Sequence, residues 1–436
     1  MSDIRVIPFG GVREHGKNLY AVEVDEEIYI LDCGMKVPEN EMLGVDGVIP
    51  DFSYLVENKE RIAGVFLTHG HTDAIGALPY LLQELQVPVF GSDLTIALAK
   101  MAIQSVPAAR RFKDFHVVNA DTEIDFDEAT IQFFRTTHTI PESLGIVVKT
   151  SEGSIVYTGD YKFDQSAKPV YQTDLARLAQ IGNDGVLMLL SDATNADSLD
   201  STVPEYQIQD SITDTFCYAE GRIIAGCISA NIQRMQQILM AAQAAHRKVV
   251  ILDKQAYKIL QTAAKLKKVY IPKDILVPVK NINKYADEEL VILVSGKMGS
   301  PIRVIQRMAR GKNKFVNIQE GDLVYLAASP ALSMELFVAK TENMIYRAGG
   351  TVKTVSDDFH ASGHADPEQI RLMLNLLKPQ YLLPVQGEYR QLKAQANIGN
   401  ELGIPMKNSF ITKNGEIIEY HKKHMQRAGM FPVSDV

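Results

Sequence analysis

The 436-residue chain lacks an apolar run long enough to span a membrane, and its N-terminus lacks a basic-then-apolar leader. These absences argue against a membrane-spanning helix and a secretory signal. The expectation is a soluble cytoplasmic protein with no membrane partner. Cysteine is scarce: Cys33, Cys217 and Cys227 are odd in number and show no Cys-x-x-Cys spacing. They read as small buried apolar residues in a reducing compartment, not as disulfides or metal ligands. No internal repeat and no low-complexity tract is present, which argues against a solenoid. Positive charge is in deficit, with a formal net charge of −8. That total argues weakly against nucleic acid, but binding needs a basic patch, not a basic sum. Candidate patches are Arg110, Arg111 and Lys113; Lys265, Lys267, Lys268 and Lys273; and Arg303, Arg307, Arg310, Lys312 and Lys314. Any one of these runs taken alone reads as a solvated helix face.

What is present is an ordinary globular composition, 46% hydrophobic and 22% charged, in a chain long enough for two domains. The stretch to about Ser198 is strand-rich, with alternating runs at Ile4–Pro8, Leu19–Val24, Ile131–Arg135 and Gly145–Lys149. The texture changes near Ser201. Helical patterns at Gln207–Tyr218, Asn231–Ala245 and Ala256–Lys265 then alternate with short apolar runs at Arg222–Cys227, Lys248–Leu252, Leu290–Val294 and Leu323–Ala327. That alternation predicts βαβ units and a parallel sheet. A helix at Pro367–Leu377, a strand at Tyr381–Val385 and a helix at Tyr389–Leu402 follow, and the stretch from His421 reads as a polar, aperiodic tail.

The chemistry gathers at His69-Gly70-His71-Thr72-Asp73-Ala74, just after the buried run Gly64–Thr68 and before an apolar-periodic helix from about Ala74 to Leu85. Two imidazoles two residues apart on a turn can converge on one divalent ion, and a carboxylate two residues on can reach a neighbouring ion. Other residues of metal-binding type end apolar runs downstream: Asp32, His138, Asp160 and Asp192.

This order resembles the metallo-β-lactamase superfamily, whose dinuclear motif is His-x-His-x-Asp-His, with Ala74 here in place of the last histidine. Asp192 and the segment His360-Ala361-Ser362-Gly363-His364 look like motifs A and B of the β-CASP nucleases. Pro384-Val385-Gln386-Gly387-Glu388-Tyr389-Arg390 is similar to the Pro-x-His-Gly-Glu-Tyr-Arg motif of ribonuclease J, with Gln386 at the metal-binding histidine. The openings Gly10–Glu14, Gly16-Lys17-Asn18 and Val37–Met42 also resemble that family. The two substitutions resemble its second, degenerate member, found beside an active one in some Gram-positive bacteria.

The resemblance implies an α/β fold: a metallo-β-lactamase αββα sandwich with an inserted β-CASP domain. Residues 1–203 would form the first part of the lactamase domain, 204–355 the insert, 356–420 the returning segment, and 421–436 a linker or tail before a further C-terminal domain of the family. It implies a first metal held by His69, His71, His138 and Asp160. A second metal would use Asp73, Asp160 and the two altered positions, Ala74 and Gln386. Glutamine can still offer a carbonyl oxygen, a weaker donor than imidazole. At most about one tightly bound Zn2+ or Mn2+ is therefore expected. By the same resemblance Asp73, Asp192 and His364 are catalytic, with Asp192 orienting a histidine that ligates the metal. Asn231, Arg234, His360, Ser362 and Gly363 would contact RNA or its 5′-phosphate, although Ala230 stands where the family has serine. Ser362 and Gly363 precede a helix start marked by Asp366-Pro367.

The expected function is a ribonuclease J-like RNA-processing and decay protein, weakly active or inactive. It would bind single-stranded RNA and pair with an active paralogue as a homo- or hetero-oligomer. One alternative is an active metal-dependent 5′-to-3′ exoribonuclease and endoribonuclease. Another is a small-molecule hydrolase of glyoxalase type, which the inserted domain and the Ser-Gly-His segment oppose.

Overall fold

Runs such as Ile28–Leu31, Val147–Val148 and Leu187–Leu190 are apolar at consecutive positions, so strands made from them are buried on both faces. In a computed structural model, described for residues 2–38, 45, 47–297, 299–327, 335–355 and 359–434, the chain divides into two units. The first comprises residues 1–138, 142–201 and 363–436; the second comprises 139–141 and 202–362.

The first unit opens with β1 (Ile4–Gly10), β2 (Leu19–Val24), β3 (Glu27–Leu31), α1 (Ser53–Glu57) and β4 (Ile62–Phe66). Next come α2 (Thr72–Ile75), α3 (Leu78–Glu84), β5 (Val89–Gly91), α4 (Asp93–Ile103) and β6 (Phe115–Val117). A meander follows, β7 (Glu123–Asp125), β8 (Thr130–Arg135), β9 (Leu144–Thr150) and β10 (Gly153–Tyr157), and then α5 (Leu175–Asp184) and β11 (Val186–Asp192). The single helix expected over 74–85 is broken in two. Gly76 closes α2, where a Cβ would lie 2.4 Å from the Thr72 carbonyl oxygen, and Pro79 sits in the first turn of α3.

The second unit holds α6 (Glu205–Tyr218), β12 (Ile223–Gly226), α7 (Ile232–Ala244), β13 (Lys248–Ile251), α8 (Lys254–Lys265), β14 (Leu290–Val294), α9 (Ser300–Ala309), β15 (Leu323–Leu326), α10 (Glu335–Arg347) and β16 (Thr351–Thr354). Its sheet has the order β13-β14-β12-β15-β16, and every pairing is parallel. Ile224, Val250, Ile292, Val294 and Val324 form its core with Ile305 and Met308 of α9. Thr139–Pro141 belongs to this unit, tied by the Gln233 N–H to the Thr139 carbonyl at 3.1 Å. Cys33 and Cys227 are buried as expected, but Cys217 is exposed, on the last turn of α6.

The first unit resumes with α11 (Pro367–Leu377), β17 (Tyr381–Val385), α12 (Tyr389–Glu401), β18 (Glu416–His421) and β19 (His424–Met430). One sheet runs β19-β18-β1-β2-β3-β4-β5-β6 and the other β17-β11-β10-β9-β8-β7. Val22, Tyr29 and Phe66 of the first meet Phe133, Ile155 and Leu189 of the second in one core, giving the expected sandwich. Each such fully buried side chain contributes about 1.5–3 kcal/mol. The stretch read as an aperiodic tail forms β19. It pairs antiparallel with β18, which in turn pairs with β1. His421 sits at the end of β18, with its Nδ1 2.9 Å from Asp3 Oδ1. Residues 39–42 of the Val37–Met42 motif, and Ser356 at the expected start of the returning segment, lie outside the described residues.

Candidate metal centre

Strand ends of the first unit deliver the expected residues to one place. β4 leads into His69 and His71, β8 into His138, β10 into Asp160, and β11 ends at Asp192. His69, His71, His138 and Asp160 each offer a ligand atom, all within 4.8 Å of one another. The ring centroids of the three histidines lie 4.6, 5.0 and 4.8 Å apart.

The rings of His69 and His138 are each aimed by a hydrogen bond on the far side. Asp32 follows β3 with its carboxylate buried, accepting from the Thr68 N–H at 2.8 Å, the Thr68 hydroxyl at 2.7 Å and the Tyr157 hydroxyl at 2.9 Å. Because the Thr68 hydroxyl donates to Asp32, its oxygen is free to accept from His69 Nδ1 at 2.9 Å. His69 Nε2 then faces inward. It is buried, has no hydrogen-bond partner among the described residues, and lies 3.7 Å from both Asp73 Oδ1 and Asp160 Oδ2. His138 Nδ1 donates to the Gly363 carbonyl at 2.8 Å, which turns Nε2 to 3.1 Å from His71 Nδ1 and 3.7 Å from Asp160 Oδ2. Burial drives the His69 pKa down to about 3 and holds His138 well below its ordinary value. Both rings are thus neutral at physiological pH, as ligation requires. Burial, with the Asp73 and Asp192 carboxylates beside it, pushes Asp160 well above the carboxylate range. An orphaned inward nitrogen among converging neutral imidazoles and a buried carboxyl fits a divalent ion.

The second set does not close. Ala74 is buried and offers only a methyl group. Gln386 follows β17 in left-handed backbone geometry, φ 55°, and every polar atom it has is engaged. Its N–H donates to the Gly11 carbonyl at 2.6 Å, and its own carbonyl accepts from the Thr194 hydroxyl at 2.9 Å. The side-chain oxygen, expected as a spare donor for a metal, accepts from the Gly16 N–H at 2.9 Å. The side-chain nitrogen lies 2.6 Å from Asp73 Oδ2 and 3.4 Å from Asp160 Oδ1.

Asp192 and His364 form a separate pair, Nδ1 to Oδ2 at 2.6 Å, so the histidine that Asp192 orients is His364 and not, as expected, one of the first metal set. Asp192 Oδ1 accepts from the Thr194 N–H and hydroxyl at 2.9 and 2.6 Å. Burial opposes charge on His364, but the Asp192 carboxylate raises its pKa above the ordinary value. Asp160, Asp192 and His364 also offer ligand atoms close together, but His364 Nδ1 is already occupied by Asp192.

The remaining expected residues, Gly363 apart, lie in the second unit. Asn231 caps α7, accepting from the Arg234 N–H at 2.8 Å. Arg234 is buried, with Nη1 2.8 Å from Gln237 Oε1 and Nη2 3.5 Å from Glu205 Oε2. His360 is half-buried, with an Nε2 that has no hydrogen-bond partner among the described residues. Asp366 caps α11 through the Gln369 N–H at 2.9 Å. Sequence reasoning did not name Thr68, Thr194 or the Gly16 N–H. For the two threonines the signal was adjacency, beside His69 and two residues after Asp192.

Comparison with known families matches residues 12–190 to the metallo-β-lactamase superfamily and residues 220–345 to the β-CASP domain of ribonuclease J. Residues 350–408 match the RNA specificity domain of Zn-dependent metallo-hydrolases. The chain is 49% identical over 437 residues to ribonuclease J 2 of Streptococcus pyogenes, an alignment spanning 100% of this chain and 79% of that protein. It is 43% identical over 423 residues to ribonuclease J 2 of Staphylococcus epidermidis, spanning 97% of this chain and 76% of that one. A solved protein of unknown function from Enterococcus faecalis V583 shares the fold, with a TM-score of 0.69 at 16% identity, covering 96% of this chain and 100% of that one.

Proposed function

The chain belongs to the ribonuclease J family of RNA-processing proteins, and from that premise we propose that it is a cytoplasmic, RNA-binding member whose own cleavage is weak or lost. It would act by pairing with an active paralogue. One observation carries this reading: of the two ligand sets a dinuclear centre needs, only His69, His71, His138 and Asp160 make a complete one. Zn2+ or Mn2+ would be held there, where a bound ion supplies acidity to a water and polarises a phosphate oxygen. Two-metal phosphodiesterases use ions about 3.5–4 Å apart to stabilise both the attacking and the leaving oxygen. With one set, half of that stabilisation is missing. His364, aligned by Asp192 through Nδ1, would hold a proton at the phosphate. Asn231, Arg234, His360, Ser362 and Gly363 remain the proposed RNA contacts, with Arg234 having to leave Glu205 to meet a phosphate.

The test is an assay on 5′-monophosphorylated RNA, with zinc and with manganese, alone and mixed with an active paralogue. Slow or absent cleavage is expected, with single-stranded RNA still bound and the affinity falling as salt rises. Cleavage by the unmodified chain at a rate typical of active family members would defeat the proposal. The paired change Ala74→His with Gln386→His should raise activity, and either alone much less, because the two residues would share one ion.

A further inference from the structure

We propose that Gln386 is a built-in replacement for the second metal ion, an amide donor that holds the emptied half of the centre together without a cation. This deepens the functional reading above but rests on geometry alone. A metal at that position would bind the Asp73 and Asp160 carboxylates together. In its place the Gln386 Nε2 lies 2.6 Å from one and 3.4 Å from the other. A carboxylate oxygen can only accept, and the Gly16 N–H on the other side of the amide can only donate. The orientation of the amide is therefore fixed by its partners: nitrogen to the acids, oxygen to Gly16 at 2.9 Å. The oxygen that could have served a metal is committed elsewhere, and the nitrogen has no lone pair to offer.

The rest of Gln386 makes this a clamp. Its N–H and carbonyl bind Gly11 and the Thr194 hydroxyl, so one residue links the Gly11–Gly16 loop, the Asp73 turn, Asp160 after β10 and the loop after β11. The Thr194 hydroxyl shares its one hydrogen between the Gln386 carbonyl and Asp192 Oδ1, at 2.9 and 2.6 Å, which extends the clamp to the partner of His364. Hydrogen bonds to charged groups are stronger than those between neutral groups. The amide thus compensates the charged Asp73 carboxylate and reaches the Asp160 carboxyl beside it in the absence of an ion. Replacement of the family's histidine by glutamine is then more than the loss of a ligand. It exchanges a metal-dependent joint for a metal-independent one.

The experiment reads metal content and melting temperature, not activity, so it can fail while the functional reading stands, and the reverse. Chelated and dialysed protein is loaded with ZnCl2 or MnCl2, and ions per chain are counted after gel filtration. The unmodified chain should retain no more than about one ion. Gln386→Glu keeps the reach but removes both N–H donors. In chelator it should melt about 5 °C lower, and added metal should restore that loss while a second ion is taken up. Combining it with Asp73→Asn puts the donor on the opposite side, and should recover the melting temperature in chelator without metal. This rescue keeps the proposal falsifiable if the single variant folds poorly. Two ions on the unmodified chain would overturn the proposal. So would an unchanged melting temperature of Gln386→Glu in chelator, or failure of Asp73→Asn to rescue it.

Discussion

Asp32 shows how much a single buried carboxyl can govern from a distance. It touches none of the inward-facing nitrogens, yet through the Thr68 hydroxyl it sets which nitrogen of His69 carries hydrogen. Thr68→Val removes that relay while keeping the shape of the side chain. Zinc affinity, measured against a competing chelator, should fall by about 10–100-fold, and an unchanged affinity would show that the ring is aimed by packing alone. The Asp192–His364 pair gives a pH signature. The folded-state pKa of His364 is raised, so its contribution to stability is complete below the unfolded value of about 6.5 and is lost as pH rises through the folded one. Asp192→Asn should lower the His364 pKa, read by NMR titration of the ring, and flatten that loss. The motifs His69–Asp73 and His360–His364 were legible in the sequence because each is contiguous. The orientation of Gln386 was not legible, since the Gly16 N–H that settles it comes from 370 positions away.

Elements were legible where periodicity was local, and boundaries failed where contacts decided them. β2, β14, α11 and β17 have the expected limits because apolar spacing and the Asp366-Pro367 start signal suffice. β19 was missed because only its final pairing, His421 with His424 through Glu416 with Met430, makes a polar stretch extended. Cys217 was misjudged because three cysteines have no helical period from which to read a face. Packing between helices gives a prediction that propensity alone would reverse. Gly182 in α5 is helical, so alanine there should gain about 1 kcal/mol. An added Cβ, however, would stand 2.0 Å from the Leu376 carbonyl oxygen of α11. Gly182→Ala should therefore lose about 1–3 kcal/mol net in urea unfolding, and a stabilised variant would show that α5 and α11 can separate freely.

At the scale of the whole molecule, the change of texture near Ser201 was visible because alternating helix and strand periods replace hairpins. The membership of Thr139–Pro141 was not visible, since contacts such as that with Gln233 come from far along the chain. We expect residues 202–362, expressed alone, to unfold cooperatively by denaturant, because their sheet and core are complete among themselves. In that fragment the buried pair of Arg222 and Asp322, 2.7 Å apart, joins the start of β12 to the turn before β15. Asp322→Ala leaves the guanidinium with only the half-exposed Asp287 at 3.5 Å as a counter-charge and should cost about 3 kcal/mol. A fragment that shows no cooperative transition would refute the expectation of an independent unit.

The pairing of β1 with β18, and of β11 with β17, also sets an order of events during synthesis. A nascent chain emerging from the ribosome can complete the parallel sheet of the second unit while both layers of the first still lack strands. Gly363, His364 and Gln386, which aim His138, pair with Asp192 and bridge Asp73, are made after that sheet. The metal centre is therefore completed late in translation, and its long-range contacts are of the kind that form slowly. A ribosome stalled before residue 386 would carry a chain with a finished middle and with every ligand of the first metal set already made, but without the clamp that ties Asp73 to its neighbours.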